Sequence, residues 1–410
     1  MEQVTQAPLA KVRRGTAAFH RTNLALFCAG FSTFALMYCL QPLMPLFSRD
    51  FHVSAADSSL CISLTTGCLA VSMLVAGGLS EAWGRKPMMV TSLFASAALT
   101  VVSALVPSWP GFLVFRALEG IAFSGLPSVA MAYLSEEMDP SAIGLAMGLY
   151  IGGTAIGGMS GRLIVGVLTD AVSWRFAIAA VGVLGLLSAT VFWHSLPPSL
   201  HFKRHAFLTP KLAALMLEHV RDFGLRWLYC EGFLLMGAFV TLYNYIGFRM
   251  VLPPYRLSQS QIGLLFTVYL VGAFASAWVG NLAGRLGRRK VLWVTISLML
   301  SGVAITVAAP LSLIIAGIAL FTFGFFGSHS IVSSWIGLRA RHSKAQASSL
   351  YLFFYYLGSS VIGSTGGLLW HDLQWKGVAG FTGALLIVAV LISVRLASVQ
   401  PLRVQPVTVG

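Results

Sequence analysis

Arg116 and Glu119 stand three residues apart in an otherwise apolar stretch, Phe112-Leu113-Val114-Phe115-Arg116-Ala117-Leu118-Glu119-Gly120. On a helix that spacing puts both side chains on one face, where each partly neutralises the other. Two readings follow. The pair is a proton relay or sensor, or it is a structural ion pair near a membrane interface with Arg116 snorkelling outward. Arg162, Glu231 and His329 are further ionisable residues in apolar surroundings. A charge inside hydrocarbon costs at least ~2.5–3.5 kcal/mol on insertion scales, so such groups face a partner or a wet cavity. Imidazole ionises near neutrality, which makes His329 either a proton site or hydrogen-bonded structure. Arg162 either faces a cavity and attracts an anionic group or reaches the headgroups. Glu231 lies near the start of its apolar run, where an interface ion pair and a coupling role are both open.

These chemistries presuppose a membrane, and the composition supplies one. The chain has 410 residues, of which 57% are hydrophobic and 10% charged. A soluble domain carries about a quarter charged residues. A span needs roughly 20 apolar residues. Twelve such runs are legible, at about 22–46, 57–80, 87–107, 110–134, 141–169, 174–193, 225–250, 259–283, 289–309, 311–338, 344–369 and 376–397. They are continuously apolar, unlike the alternating strands of a barrel. The expected fold is an all-α membrane protein of twelve transmembrane helices.

The net charge of +14 invites a nucleic-acid reading, but its placement argues against one. Lys11, Arg13, Arg14 and Arg21 precede the first run, and Arg85, Lys86, Arg285, Arg288, Arg289 and Lys290 fill alternate loops. Only Arg49, Arg175, Arg249, Arg256 and Lys376 fall in or beside the loops of the other side. This is the positive-inside bias. It implies cytoplasmic N- and C-termini in a bacterial inner membrane, with no nucleic-acid partner. Residues 1–21 are too polar, and the first run too long, for a cleaved signal peptide. Cys28, Cys39, Cys61, Cys68 and Cys230 lie within runs at no metal-like spacing and read as packing residues. No metal or cofactor is expected.

The chain divides into a tail (1–21), a six-helix bundle (22–193), a linker (194–224), a second bundle (225–397) and a tail (398–410). Within the linker, 207–220 reads as an amphipathic helix at the membrane surface. His194, His201 and His205 nearby read as solvated linker residues. The bundles repeat one another. Tyr150, Gly157, Gly166 and Trp174 match Tyr351, Gly358, Gly367 and Trp375 at a spacing of 201. Gly77, Leu79, Gly84 and Arg85 match Gly280, Leu282, Gly287 and Arg288 at 203, as does Gln41 with Asn244. Internal repeats that place a site near the midplane are a transporter architecture.

The loop after the second run reads Gly77-Gly78-Leu79-Ser80-Glu81-Ala82-Trp83-Gly84-Arg85-Lys86. It resembles motif A of the major facilitator superfamily. A worn copy runs from Gly280 to Lys290 with Gly284 in place of the acid. The stretch around Arg116 and Glu119 is similar to motif B, with Glu119 where a Gln is usual. Gly148 to Gly161 is similar to motif C, the exporter signature, with Thr154 where a proline is expected. Gly153, Gly157, Gly158 and Gly161 also read simply as a small-residue packing surface. The resemblance covers about residues 20–400. It implies two pseudo-symmetric six-helix bundles. It also places Glu81 against the N-terminus of the eleventh helix, near Ser343. With Arg85 paired to Glu136 or Glu137, that is a cytoplasmic latch; simple basic anchoring of the loop is the alternative.

The same family lines its cavity with the middles of helices one, four, seven and ten. This implies Tyr38, Gln41, Tyr243, Asn244 and His329 as cavity candidates, to which the fifth run adds Arg162, the eighth Tyr269 and the eleventh Tyr355. Each tyrosine, and the Gln41/Asn244 pair, also reads as helix packing. Apolar pockets with a few polar groups suit amphipathic molecules. Wording such as Ala132-Tyr133-Leu134-Ser135-Glu136-Glu137 resembles the YnfM-like branch, which implies efflux. The expected function is a monomeric, proton-coupled antiporter exporting small amphipathic molecules. Transport of one metabolite, such as a sugar or organic acid, and a non-transporting sensor are the alternatives. No ATP-binding or hydrolytic signature stands out, so an enzyme is not expected.

Overall fold

The computed structural model describes residues 11–202, 204, 210–340 and 344–398. Among them, ten helices are long and apolar enough to cross a membrane. The last of these, Gln346–Ser398, is two helices joined at Gln374, whose backbone is non-helical (φ 51°, ψ −142°). Arg288–Ile305 is the remaining span, shorter and with three basic residues at its start. The twelve spans are α1 (Ala17–Asp50), α2 (Ala55–Trp83), α3 (Arg85–Ser103), α4 (Trp109–Glu137), α5 (Pro140–Ala171) and α6 (Trp174–Ser195). The second six are α7 (Phe223–Val251), α8 (Gln259–Leu286), α9 (Arg288–Ile305), α10 (Leu311–Arg339), α11 (344–373) and α12 (375–398). The linker carries a helix at Pro210–Arg221. Ser343, Lys203, His205 and the tail beyond 398 lie outside the described residues. With an even number of crossings, α1 begins and α12 ends on one face. We call that face proximal and the opposite one distal.

Helix starts are fixed by side chains that accept orphan backbone N–H groups. Thr16 caps α1, Ser54 caps α2, Asp139 caps α5, Ser173 caps α6 and Asp222 caps α7. Ser258 and Gln261 form a reciprocal capping box on α8. Three spans are broken, although the sequence reads them as continuous. α1 loosens after Tyr38 into a 3-10 turn, Gln41–Leu43, with Pro42 and Pro45 removing backbone donors. α4 breaks before Pro127. α8 passes through a 3-10 turn at Phe266–Val268 without any proline or glycine there. Freed backbone groups at membrane depth are tolerated only where protein or a wet cavity receives them.

Within each half, glycines bring helix backbones together. A Cβ on Gly153 would lie 2.5 Å from the Phe27 carbonyl, and one on Gly161 2.6 Å from that of Ala35. Gly157 meets the Phe31 carbonyl in the same way, so α5 lies directly on α1. Gly358 repeats the contact against Phe233, joining α11 to α7. Gly358→Ala therefore forces overpacking that costs about 1–3 kcal/mol. It should lower the melting temperature of the detergent-solubilised chain, whereas an unchanged melting curve would contradict this packing.

Candidate functional site

The breaks in α1 and α8 meet at Arg162. Its guanidinium is 1% exposed and donates to the Gln41 Oε1 from Nε (2.8 Å) and Nη2 (2.5 Å). Nη1 donates to the Gly158 carbonyl, and Nη2 also to the Tyr269 hydroxyl at 3.2 Å. The rings of Tyr38, Phe266 and Tyr269 lie 4.8–4.9 Å from its Cζ. A cation over aromatic faces gains roughly 0.5–2 kcal/mol each, most when dry. Arg162 thus faces the protein interior and does not reach headgroups. Gly158 leaves room for it, since a Cβ there would lie 3.2 Å from Nη1.

Gln41 carries the network into the other half. Its Nε2 donates to Asn244 Oδ1 at 2.8 Å, and Asn244 Nδ2 donates to the Gly363 carbonyl at 3.3 Å. Gln41 and Asn244 are repeat-related, and equivalent residues can touch only beside the pseudo-twofold axis. Other cross-half contacts ring this point. Asp170 accepts from the backbone N–H of Gln259 (3.1 Å) and Ser260 (2.7 Å). A Cβ on Gly166 would lie 2.5 Å from the Gln259 carbonyl, and one on Gly367 2.5 Å from the Ala56 Cα. Ala56 and Gln259 are themselves 203 apart, so these two contacts are symmetry mates. All of these contacts lie in the distal half of the bilayer, which is closed.

Arg116 and Glu119 sit apart from this network, 1% and 0% exposed. Nη1 of Arg116 pairs with Glu119, Nε donates to the Cys61 carbonyl (2.9 Å) and Nη2 to the Met37 carbonyl (3.0 Å). Met37 precedes the break in α1, where carbonyls lose their helical partners. Arg116 is thereby occupied in tying α4 to α1 and α2. One Glu119 oxygen, Oε1, has no hydrogen-bond partner among the described residues.

On the proximal side of the second half, Glu231 is 0% exposed and neither carboxylate oxygen has a hydrogen-bond partner among the described residues. The sequence allowed an interface ion pair for Glu231; none forms among the described residues. The adjoining Gly232 packs on the Tyr351 ring, whose hydroxyl is 2.7 Å from His329 Nδ1. From His329 an aromatic column runs towards Arg162. His329 stacks on Phe325, Phe325 on Phe239 at 3.7 Å between centroids, and Phe239 meets Tyr269 at 5.7 Å. Tyr355 flanks His329 at 4.9 Å. Tyr243 packs on Phe266 and Tyr269, with its hydroxyl 2.6 Å from that of Thr322.

The proximal loops are asymmetric. Gly84 (φ 114°) and Gly287 (φ 94°) adopt the positive φ that favours glycine, turning α2 into α3 and α8 into α9. Arg85 pairs with Glu136 (2.7 Å), bonds Ser80 (2.6 Å) and lies 3.9 Å from Glu81. Glu137 instead holds the backbone and ring of His201, and Lys86 bonds the Leu196 carbonyl. In the second half Arg288 meets only the Ser334 hydroxyl (3.2 Å), among its hydrogen bonds to described residues. Arg339 bonds Asp222 at 2.6 and 3.0 Å. Burial alone would raise the Asp222 carboxyl; the Arg339 guanidinium and the Leu225 amide outweigh it and hold the group below its usual range. At Gly77, in the motif A resemblance, a Cβ would meet nothing within 4 Å. Phe266, Asp170 and the Asp222–Arg339 pair escaped sequence reasoning. The 203 spacing of Ala56 and Gln259 was the available signal for the distal contacts.

The Major Facilitator Superfamily model matches residues 26–259 and, a second time, 234–407. The inner membrane transport protein YnfM of Escherichia coli (strain K12) is 49% identical over 396 residues, spanning 96% of this chain and 95% of that protein. The uncharacterized MFS-type transporter YybF of Bacillus subtilis (strain 168) is 48% identical over 94% of this chain and 96% of its own. Among solved structures, a bacterial homolog of the human lysosomal transporter Spinster, inward-facing and unoccupied, superposes with a TM-score of 0.73 at 14% identity. It covers 94% of this chain and 96% of its own. The human organic anion transporter MFSD10 gives 0.70 at 17% identity, covering 95% and 100%. At such identities these structures speak to the fold.

The distal closure yields a direct expectation. Ser359, 0% exposed near Tyr38, becomes a reporter as Ser359→Cys in a cysteine-free chain. It should resist a membrane-impermeant maleimide added from the distal side. Adding Gly166→Val or Gly367→Val should expose it, and equal labelling with and without the valine would contradict the closure.

Proposed function

The chain belongs to the major facilitator superfamily, and from that premise we propose that it is a proton-coupled antiporter exporting small amphipathic organic molecules by alternating access. It is a multi-pass membrane transporter. The proximal face, which carries Arg85, Lys86, Arg288, Arg289 and Lys290, is the cytoplasmic one by the positive-inside rule. The membrane is the bacterial inner membrane, the location of the Escherichia coli relative, an inner membrane transport protein. The protein acts as a monomer. The distal contacts then describe a state closed to the outside, in which substrate enters from the cytoplasm along the column from His329 to Tyr269.

Glu231 is the observation that carries proton coupling. A carboxylate stripped of both water and hydrogen bonds is costly. An acid that holds its proton in this buried setting, and releases it when α7 and α11 reopen the wall, exchanges protons in step with rocking of the halves. Tyr351 and His329 extend from it towards the cavity. Arg116, whose nitrogens are all engaged with Glu119 and two backbone carbonyls, suits a positioning role better than a relay. The motif A cluster around Arg85, with Glu81 free to swing towards α11, is the cytoplasmic latch of the opposite state.

The test uses acidified everted vesicles with a pH-sensitive dye. Compounds that stabilise the purified chain should dissipate the gradient in wild type. Glu231→Gln should still be stabilised by them but lose at least about tenfold of the dissipation rate. Undiminished proton movement in Glu231→Gln would remove Glu231 from the coupling, and binding without any flux would favour a sensor.

A further inference from the structure

We propose that the exported molecules are aromatic organic anions whose acidic group binds Arg162, displacing Gln41 and so unlocking the distal closure. This rests on the transport reading and names its substrate class. Arg162 is a full positive charge buried in protein, and no carboxylate among the described residues pairs with it. Arg116, at comparable burial, has Glu119. A buried guanidinium held only by amide, carbonyl and hydroxyl groups is electrostatically unfinished. A carboxylate offers the bidentate partner that its geometry suits best.

Two hydroxyls beside it are also unfinished. Tyr38 Oη and Ser359 Oγ, neighbours across the halves, are buried and, beyond their approach to each other, have no hydrogen-bond partner among the described residues. They can donate to the same anion. Below, the mutually packed rings of Tyr269, Phe239 and Phe325 make an aromatic wall that an aromatic body can join by parting them. Gln41 is a neutral stand-in: its Oε1 takes two Arg162 bonds while its Nε2 holds Asn244 of the other half. An anion that takes Arg162 releases Gln41 and weakens the bridge between halves. Substrate binding and distal opening are then one event.

The probes are 1-naphthoate, its neutral amide and the cationic 1-naphthylmethylamine. Each is tested on the full chain in detergent at fixed ionic strength by thermal stabilisation. Naphthoate should bind at least about tenfold more tightly than the other two. Arg162→Gln should erase that preference, and Arg162→Lys should retain part of it. Gln41→Ala, which removes the competing internal ligand, should tighten naphthoate binding; a merely structural Arg162 would not respond so. The proposal is overturned if the amide or the amine binds as well as naphthoate, or if the preference survives Arg162→Gln. It also falls if none of the three stabilises wild type at ~10 mM, far weaker than ordinary substrate affinities. Should Arg162→Gln fail to fold, the wild-type ranking and Gln41→Ala decide. Naphthoate binding without flux in proteoliposomes would keep the anion site and reject the transport reading.

Discussion

One buried charge organises the centre of this protein. Arg162 sits where an ion is least welcome, and the chain surrounds it with the groups that two broken helices make available. The break in α1 delivers Gln41; the break in α8 delivers Phe266 and Tyr269. Without the charge these breaks would leave polar groups idle in hydrocarbon. Without the breaks, regular helices would present no amide and no hydroxyl at that point. Gln41 then passes the constraint across the molecule to Asn244, so a single guanidinium on α5 helps decide whether the two halves touch.

Symmetry makes this economical. The halves share packing glycines, so α5 on α1 and α11 on α7 are copies of one interface. The contacts of Gly166 and Gly367 across the halves are likewise copies, one on each side of the axis. Departures from symmetry hold the chemistry. Arg162, Arg116 and the Arg85–Glu136 pair belong to the first half; Glu231, His329 and the Asp222–Arg339 pair belong to the second. A charge that meets its partner within one half stabilises that half alone. A charge that reaches across responds to rocking of the halves.

Much of this was legible in the sequence. Apolar run lengths locate the spans, because the bilayer fixes how many residues a helix needs. The spacings of 201 and 203 identify Gln41 and Asn244 as equivalents, and polar residues inside apolar runs mark most of the site. What a linear pattern cannot convey is which polar groups meet. Arg162 was equally compatible with headgroups, and Glu231 with an ion pair. Burial and the position of the axis separate those readings, and both are properties of the assembled bundle. The α8 break at Phe266–Val268 had no proline or glycine to announce it. Phe266 within it packs against Arg162 of α5. Conversely Gly77, a clear motif glycine, has open space where a Cβ would sit, so its place in the motif does not translate into a close helix contact here.

The central claim is that the Gln41–Asn244 bridge, braced by Arg162, keeps the distal face shut. Arg49 on the first half and Leu252 on the second are exposed at that face and accept spin labels. Distances between them, measured by double electron–electron resonance in wild type, Gln41→Ala, Asn244→Ala and the double variant, test it most directly. A short distance in wild type, lengthened by either alanine and lengthened no further by both, is the expected result. Distances that stay short in every variant, or that lengthen additively, would show that Gln41 and Asn244 do not act as one lock.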